Sequence, residues 1–337
     1  MRTKVTVVCV ALCLASQVAI AQTTFVDSAN RSVVLPARVD RVFAAGFPAE
    51  VLLYTLVPEK LAGRNHLPEP DARPFFPEAY RDPVAITQLP DLPDGSRDAQ
   101  LLALKPDLYI DYGTVHEDYV ASVSSLQQRT GIPAIILDGA LGNIPSTFRR
   151  LGAAIGVRDR GERLAARAEG LLAKYRGALA RGRRPVRVYL ACSQDGTIPC
   201  AADDTASEQL SWLGAVNVAG TSASRPGGPM TVDAIRALEP DVILVGGPAA
   251  ASRLLADPQW RSVGAVAASK VYSLPALPYN WGGRPPSVNR LPGLTWLAYR
   301  LADRPFDAAF DADVQSFFQD FYHVELSEAQ LRRLAPK

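Results

Sequence analysis

Aromatic rings and guanidinium groups follow several of the short apolar segments of this sequence, where glycine, proline or small polar residues begin. Few carboxylates stand beside them. Arginine forks and aromatic faces suit a large, flat and partly anionic ligand. The residues expected to line such a site are Phe47, Arg64, His66, Tyr112, Thr114, Ser193, Gln194, Tyr279, Trp281 and Arg284.

The common motifs of catalytic and metal-dependent sites are missing from the sequence. It contains no G-x-S-x-G, no G-x-x-x-x-G-K-[ST] and no H-E-x-x-H, and no G-x-G-x-x-G follows a candidate strand. Only His66 and His116 of the three histidines fall near the expected site, too few for a cage around a bare transition metal. We therefore expect no catalytic residues, no resident metal and no cofactor. A site of these two histidines with added carboxylates stays open as an alternative.

Residues 1–21 have the pattern of a secretory signal peptide. Arg2 and Lys4 precede an apolar run over residues 5–15, and Ala19 and Ala21 form a cleavage signal. The run is too short to span a bilayer, which disfavours a membrane anchor. Cleavage removes two positive charges and leaves equal numbers of basic and acidic side chains. The mature chain therefore has no basic excess that would attract nucleic acid or an anionic membrane.

Cleavage leaves two cysteines, Cys192 and Cys200, in an oxidising compartment. A pair this close in sequence predicts a disulfide that closes a turn. Two free buried thiols are the alternative, since two cysteines are too few for a structural zinc site.

A long amphipathic helix is predicted over residues 159–181. Asp159 and Glu162 fit a capping box at its start, and Gly182 fits its end. At 1.5 Å per residue the helix would be a rod of roughly 35 Å. The apolar residues at helical spacing, which should form one buried stripe, are Leu164, Ala168, Leu171, Leu172, Tyr175 and Leu179.

The stretches on either side of this helix resemble each other. Residues 102–113 and 236–247 both read as a helix end, a Pro-Asp break, a short apolar strand and a glycine. Short buried strands that alternate with helices indicate parallel βα units. We therefore predict an α/β protein of two βα sandwich lobes with mainly parallel sheets, joined by one long rigid α-helix.

The predicted division of the chain follows from that architecture. The carboxyl ends of the strands should meet in a ligand cleft between the lobes. The units are a signal peptide at 1–21, an N-terminal α/β lobe at 22–155, a linking helix at 156–184 and a C-terminal α/β lobe with closing helices at 185–337.

Several segments carry a resemblance to a known family. They are residues 104–111, 130–133, 214–219, 238–244, 257–260 with 270–272, and above all 284–298, Arg-Pro-Pro-Ser-Val-Asn-Arg-Leu-Pro-Gly-Leu-Thr-Trp-Leu-Ala. With the order of signal peptide, lobe, helix and lobe, the chain resembles the periplasmic substrate-binding proteins of ABC importers. The similar class has a rigid helix between its lobes and takes iron–siderophore complexes, haem, cobalamin or oxyanions.

The resemblance implies binding and delivery without chemistry. The expected ligand is a small-molecule metal chelate, with a ferric siderophore as the first candidate. The alternative ligands are molybdate or tungstate, haem and corrinoid. A third hypothesis, from another functional class, is a periplasmic enzyme on a similar scaffold. The expected state is a periplasmic monomer that binds no nucleic acid, and its lobes should move little when ligand binds.

The same resemblance implies docking on an ABC permease, with its ATPase, through an acidic residue of each lobe. Glu208 is the candidate in the second lobe. In the first lobe the family's docking acid is expected seven residues before the proline of the Pro-Asp break. This chain has Ala99 at that position, so the neighbouring Asp98 is the candidate. Another departure is Cys192, which stands where related sequences are expected to have an arginine.

Overall fold

The computed structural model describes residues 23–63, 66, 68–81, 94–180, 184–224 and 228–334. The predicted signal peptide at 1–21, the predicted site residue Arg64 and the predicted helix end at Gly182 lie outside these ranges. Within the described ranges, no helix is both long and apolar enough to cross a membrane.

Each lobe is built around a parallel sheet, as predicted. The central strands are short, apolar and largely buried, which is typical of parallel sheets covered on both faces. In the first lobe the strand order is β3 (Val42–Ala44), β4 (Leu108–Gly113) and β5 (Ala134–Asp138). In the second lobe it is β7 (Val216–Asn217), β6 (Arg187–Leu190), β8 (Val242–Leu244) and β9 (Val271–Tyr272).

A hairpin forms the first described segment of the chain. It consists of β1 (Thr23–Val26) and β2 (Ser32–Leu35), paired antiparallel. The helices are α1 (Phe47–Leu56), α2 (Asp94–Leu104), α3 (Glu117–Thr130), α4 (Ile144–Ala154), α5 (Arg158–Tyr175), α6 (Glu208–Leu213), α7 (Val232–Ala237), α8 (Pro248–Ala256), α9 (Gly264–Ala267), α10 (Arg290–Leu301), α11 (Ala308–Tyr322) and α12 (Glu328–Leu334).

The linking helix α5 is shorter than predicted. It runs over Arg158–Tyr175, and the chain then turns at Gly177, whose φ of 62° is a left-handed conformation that ends helices. Its length is therefore roughly 27 Å instead of 35 Å. The predicted capping box is also wrong, because Val157 is the N-cap residue and Glu162 pairs with Arg149 of α4. The whole predicted apolar stripe is buried.

Helices α4 and α5 pack with their backbones in close approach. A Cβ atom added at Gly161 would lie 2.5 Å from the carbonyl oxygen of Phe148 and 3.0 Å from Cα of Gly152. Only glycine fits at this crossing, since real Cβ atoms do not approach other atoms so closely. The crossing holds the start of the linking helix against the first lobe.

The closing helices return to the first lobe instead of packing on the second lobe alone. The Tyr54 hydroxyl of α1 donates to the carbonyl oxygen of Tyr322 in α11 at 2.6 Å. The rings of Phe148 and Phe321 lie 5.8 Å apart. One continuous hydrophobic core therefore includes the first lobe, α5 and the helices α10 to α12.

A buried ion pair joins the two lobes where their strands end. Arg290, at the start of α10, has no exposed surface. Its Nη1 donates to the Glu208 carboxylate at 2.6 Å, and its Nη2 donates to the carbonyl oxygen of Gly139 in the first lobe. The same carboxylate oxygen accepts the backbone N–H of Leu141 at 2.8 Å. We call these four residues the Arg290 seam.

We predict that Gly161→Ala lowers the free energy of unfolding by about 1–3 kcal/mol, because the added methyl group overpacks the helix crossing. The matched control is Gly170→Ala on the same helix, where a Cβ meets nothing within 4 Å. Alanine there should stabilise the protein by up to about 1 kcal/mol through its higher helix propensity. Urea unfolding measures both, and equal effects of the two variants would contradict the close packing.

We predict that Arg290→Met lowers the free energy of unfolding by about 2–4 kcal/mol, because the Glu208 carboxylate and the carbonyl oxygens of Gly139 and Ser287 lose the guanidinium as their donor. Arg332→Met, which breaks an exposed ion pair with Glu328, is the control and should change stability by less than about 0.5 kcal/mol. Guanidinium unfolding curves compare them. A seam variant as stable as the control would show that the pair does not hold the lobes.

Candidate ligand-binding site

The ends of the strands of both lobes meet at residues 275–290 of the second lobe. The Ser287 hydroxyl donates to the carbonyl oxygen of Pro48, just after β3, at 2.9 Å. Arg290 reaches Gly139, directly after β5. On the second-lobe side, Arg284 contacts Cys192, two residues after β6. The predicted meeting of the strand ends between the lobes is therefore present.

Aromatic rings from both lobes contact each other at this meeting point. The Phe47 ring, at the start of α1, stacks on the His66 imidazole with centroids 3.8 Å apart. The Tyr279 ring of the second lobe meets Phe47 edge-on at 5.4 Å. Beneath them, Glu50 accepts the backbone N–H of His66 at 3.1 Å. We call Phe47, Glu50, His66 and Tyr279 the Phe47 cluster.

The members of the Phe47 cluster differ in exposure. The Glu50 side chain is 1% exposed, whereas the His66 side chain is 47% exposed. Phe47 is half-buried and Tyr279 is buried. A ligand that enters between the lobes would therefore contact the His66 imidazole and the Phe47 ring, while the buried Glu50 carboxylate lies beneath them.

Three predicted aromatic site residues pack into the protein interior. Trp281 is fully buried, and its indole N–H donates to the carbonyl oxygen of Leu277 at 3.1 Å. Tyr112 and Tyr279 are 2% and 7% exposed. The expectation that all three offer open faces to a ligand does not agree with this burial. Tyr279 and Trp281 therefore anchor their proline-rich loop by packing into the protein interior.

The buried tyrosines remain uncharged phenols at neutral pH. Burial raises the pKa of Tyr112 to about 12, although the neighbouring Arg290 guanidinium opposes the shift. Burial raises the pKa of Tyr279 well above its ordinary value, and the nearby Tyr80 and Glu50 add to that shift. Neither group is poised to act as an anionic phenolate.

Arg284 is an exposed cation of the site and lies against a disulfide. Cys192 and Cys200 are joined, with their Cα atoms 5.0 Å apart. The Arg284 Nη2 lies 3.0 Å from the Cys192 sulfur. Because this contact uses one corner of the guanidinium, the exposed side chain keeps other N–H groups for an anionic ligand.

The remaining predicted site residues lie at exposed strand ends. Thr114 follows β4 and is exposed. Ser193 and Gln194 lie in the turn closed by the disulfide, where the Ser193 hydroxyl accepts the N–H of Ile198 at 2.9 Å. Gln194 is exposed, and its carbonyl oxygen lies 3.3 Å from Arg253. The Ser193 hydroxyl therefore stabilises its own turn.

Both predicted docking acids are paired within the chain. Glu208, whose side chain is 31% exposed, belongs to the Arg290 seam. Asp98, whose side chain is 18% exposed, accepts from Arg129 at 2.6 Å. The hydrogen bond from Arg129 lowers the pKa of Asp98. Each acid already has an arginine partner within the chain, so a permease would have to compete for it.

Two residues to which the sequence analysis assigned no role prove central to the site. Glu50 is the one charged residue in the apolar segment 47–56. A single acid among apolar residues could have indicated a buried carboxylate. Arg290 lies inside the segment 284–298 that carries the family resemblance, but nothing in its spacing marks it as buried. Among the described residues no group of three or more His, Cys, Asp or Glu side chains could hold a metal ion.

Comparison with known proteins agrees with this architecture. Residues 58–277 match the model of a family described as periplasmic binding protein. No curated protein matches the sequence significantly. The structure is similar to an ABC transporter solute binding protein from Sulfurospirillum deleyianum DSM 6946, with a TM-score of 0.81 and 25% identity over 93% of this chain and 99% of that chain.

Two further solved structures share the fold at lower identity. The molybdate periplasmic binding protein MolA of Haemophilus influenzae, bound to molybdate, has a TM-score of 0.69 and 19% identity over 90% of this chain and 99% of that chain. CeuE of Helicobacter pylori, in a Ni-His complex, has a TM-score of 0.67 and 16% identity over 93% and 98%. Since the family model covers more than half of the sequence, the chain belongs to the periplasmic binding proteins, the solute-binding components of ABC transporters.

Proposed function

We propose that this protein captures a metal chelate in the periplasm, with a ferric siderophore as the first candidate, and delivers it to the permease of an ABC importer as a monomer. The observation that carries the proposal is the surface offered between the lobes. It combines an exposed imidazole stacked on a phenyl ring with an exposed guanidinium. A large, partly anionic complex can use both kinds of contact at once.

The distribution of charge favours an anionic complex over a bare cation. The Phe47 cluster and the Arg290 seam each contain one carboxylate, that of Glu50 and that of Glu208. Both are already hydrogen-bonded within the protein. On the second-lobe side, Arg284 is exposed, and the exposed carboxylate of Asp195 is already hydrogen-bonded to the N–H of Thr197. Among the described residues no group of three or more acidic, histidine or cysteine side chains could hold a bare cation, whereas an anionic chelate would meet a guanidinium group and aromatic faces.

Proteins with the same fold bind different ligands. The Helicobacter pylori protein was solved in a Ni-His complex, the Haemophilus influenzae protein with molybdate, and the Roseiflexus protein RhuT is described as heme-binding. The Ni-His complex supports a chelate most directly, because it combines a metal with a small organic ligand. Molybdate, tungstate, haem and corrinoid become the alternative outcomes of the test.

The test of the function is native mass spectrometry with metal analysis of the mature protein taken from its own periplasm. We expect a bound mass that contains iron or another transition metal together with an organic chelator. Titration calorimetry with ferric catecholate and ferric hydroxamate complexes, molybdate, haemin and cobalamin then ranks affinities. If the protein binds only molybdate, only haemin or only cobalamin tightly, that compound is the cargo and the proposed metal chelate is wrong. Turnover of an added substrate would move the protein to the enzyme class.

We predict that Arg284→Gln weakens the binding of an anionic ferric chelate by about 10- to 100-fold, the effect of losing a hydrogen bond to a charged group. Arg284→Lys should recover only part of the affinity, since lysine keeps the charge but not the planar fork. The control Arg261→Gln removes the same charge from an exposed position in the 3₁₀ helix Pro258–Ser262 and should leave the affinity unchanged. Equal calorimetric affinities for Arg284→Gln and the control would exclude a contact between Arg284 and the chelate.

Docking on the permease is part of the same proposal. Glu208 and Asp98 remain our candidates, although each is paired within the chain. The resemblance between residues 102–113 and 236–247 suggests Asp233 as a further docking candidate. Asp233 lies seven residues before Pro240, which is the same spacing as that between Ala99 and Pro106. The Asp233 side chain is 79% exposed, so it offers more open carboxylate surface than the other two.

A further inference from the structure

We propose that Cys192 is a site of thiol–disulfide exchange that regulates cargo binding, because its reduction places a thiolate beside Arg284. This inference rests on the proposed function, in which Arg284 contacts an anionic chelate, and it adds a way to weaken that contact. The oxidised protein would hold the cargo, and the reduced protein would hold it less tightly. The class of reductant is a dithiol.

The contact between the disulfide and Arg284 joins separate parts of the second lobe. Cys192 follows β6 by two residues, and its sulfur lies 3.0 Å from Nη2 of Arg284, which comes 92 residues later in the chain. A disulfide sulfur is uncharged, so the guanidinium keeps its charge for a ligand. A Cys192 thiolate at the same place would form an ion pair with the guanidinium, since a neighbouring arginine stabilises the charged form of a thiol.

The two sulfur atoms differ in accessibility. Cys192 is half-buried, whereas Cys200 is 3% exposed. A thiolate of the dithiol therefore attacks the Cys192 sulfur, and the bond to Cys200 breaks with its electron pair on the Cys200 sulfur, which takes up a proton. The second thiolate of the dithiol then attacks the first sulfur of the dithiol, and Cys192 leaves as a thiolate. The dithiol becomes a disulfide, and the protein gains two electrons and one proton.

The turn closed by the disulfide has other restraints. The N–H of Cys192 donates to the carbonyl oxygen of Ile198 at 2.7 Å, and the Tyr189 hydroxyl donates to the carbonyl oxygen of Gly196 at 2.9 Å. Gly196 packs so closely that a Cβ atom there would lie 2.8 Å from the Leu254 side chain. Reduction therefore changes the charge of this turn more than its shape, and the Cys192 sulfur stays beside the guanidinium.

The turn also carries a carboxylate and a second cation. The Asp195 carboxylate accepts the hydroxyl of Ser193 and the N–H of Thr197, and these hydrogen bonds lower the pKa of Asp195. Arg253 lies 3.3 Å from the carbonyl oxygen of Gln194 in the same turn. The Arg253 cation offsets the Asp195 carboxylate, so the guanidinium in contact with the sulfur has the larger effect on its charge.

The first experiment measures the ionisation of each sulfur separately and needs no cargo. Cys200→Ser leaves Cys192 as a thiol, and Cys192→Ser leaves Cys200. From alkylation rates against pH, we expect Cys192 to ionise about one pH unit or more below the ordinary thiol value of about 8.5. Adding Arg284→Gln should remove that shift, whereas adding Arg261→Gln should not. The buried Cys200 should ionise above the ordinary value. An ordinary titration of Cys192 that Arg284→Gln leaves unchanged would overturn the inference.

The second experiment measures cargo binding in each redox state. The probe is the tris-catecholate complex of gallium(III), an anionic complex whose metal is not reduced by thiols. Mature protein is reduced with dithiothreitol, which is then removed without air, and titrated by calorimetry beside the oxidised protein. We expect the affinity to fall about 10-fold or more on reduction, because the thiolate competes with the anionic complex for the guanidinium. Re-oxidation should restore the affinity.

A variant with both Cys192→Ser and Cys200→Ser separates the charge from the covalent link. It has neither a disulfide nor a thiolate, so its affinity should stay close to that of the oxidised protein. An affinity as low as that of the reduced protein would assign the effect to the lost link and overturn the role of the thiolate. Arg284→Gln should bind weakly in both redox states. Thermal unfolding followed by circular dichroism confirms that each variant is folded before affinities are compared.

Failure of this inference differs from failure of the proposed function. If the oxidised protein binds the gallium complex and reduction leaves its affinity unchanged, the inference is wrong and the function stands. The same holds if the protein prefers an uncharged ferric hydroxamate to the anionic complex, since the guanidinium is then not the contact that matters. If the oxidised protein binds neither the gallium complex nor any ferric chelate, the proposed function is wrong and its regulation with it.

Discussion

The structure depends on one apolar core that continues from the first lobe through the linking helix into the C-terminal helices. Phe148 of α4 and Tyr54 of α1 contact α11, although α11 follows the second lobe in the chain. Separate cores would leave the lobes connected by a single helix, free to swing about its ends. A shared, close-packed core instead couples their positions, because interiors resist changes of even one methylene in volume.

The fixed positions of the lobes explain how the site is assembled. The Arg290 seam and the contact of Ser287 with Pro48 join strand ends of both lobes through residues of the protein itself. Binding then needs little ordering of loops or lobes, and more of the contact energy appears as affinity. Contacts of this kind, together with a continuous helix that resists bending, lead us to expect small lobe movements. The permease would therefore recognise a surface that changes mainly through the ligand itself.

Sequence patterns were sufficient for the architecture but not for the orientation of single side chains. Apolar strands after Pro-Asp breaks and the helical stripe from Leu164 to Leu179 depend on local spacing, and the structure agrees with both. The end of α5 was missed because Gly177 adopts a left-handed conformation that composition does not reveal. The burial of Trp281 and Arg290 was missed because it depends on partners 72 to 151 residues away, among them Gln209 and Gly139.

The buried and exposed polar groups have separate tasks. Glu50 and Arg290 are almost inaccessible and hold other parts of the site in place, whereas His66 and Arg284 are exposed and carry the groups that can bind cargo. A buried ionic group is costly to place and therefore has few alternative positions. Exposed groups supported by such residues lose little freedom when a ligand arrives. In this chain a substitution at His66 or Arg284 should therefore change binding more than folding, whereas one at Glu50 or Arg290 should affect both.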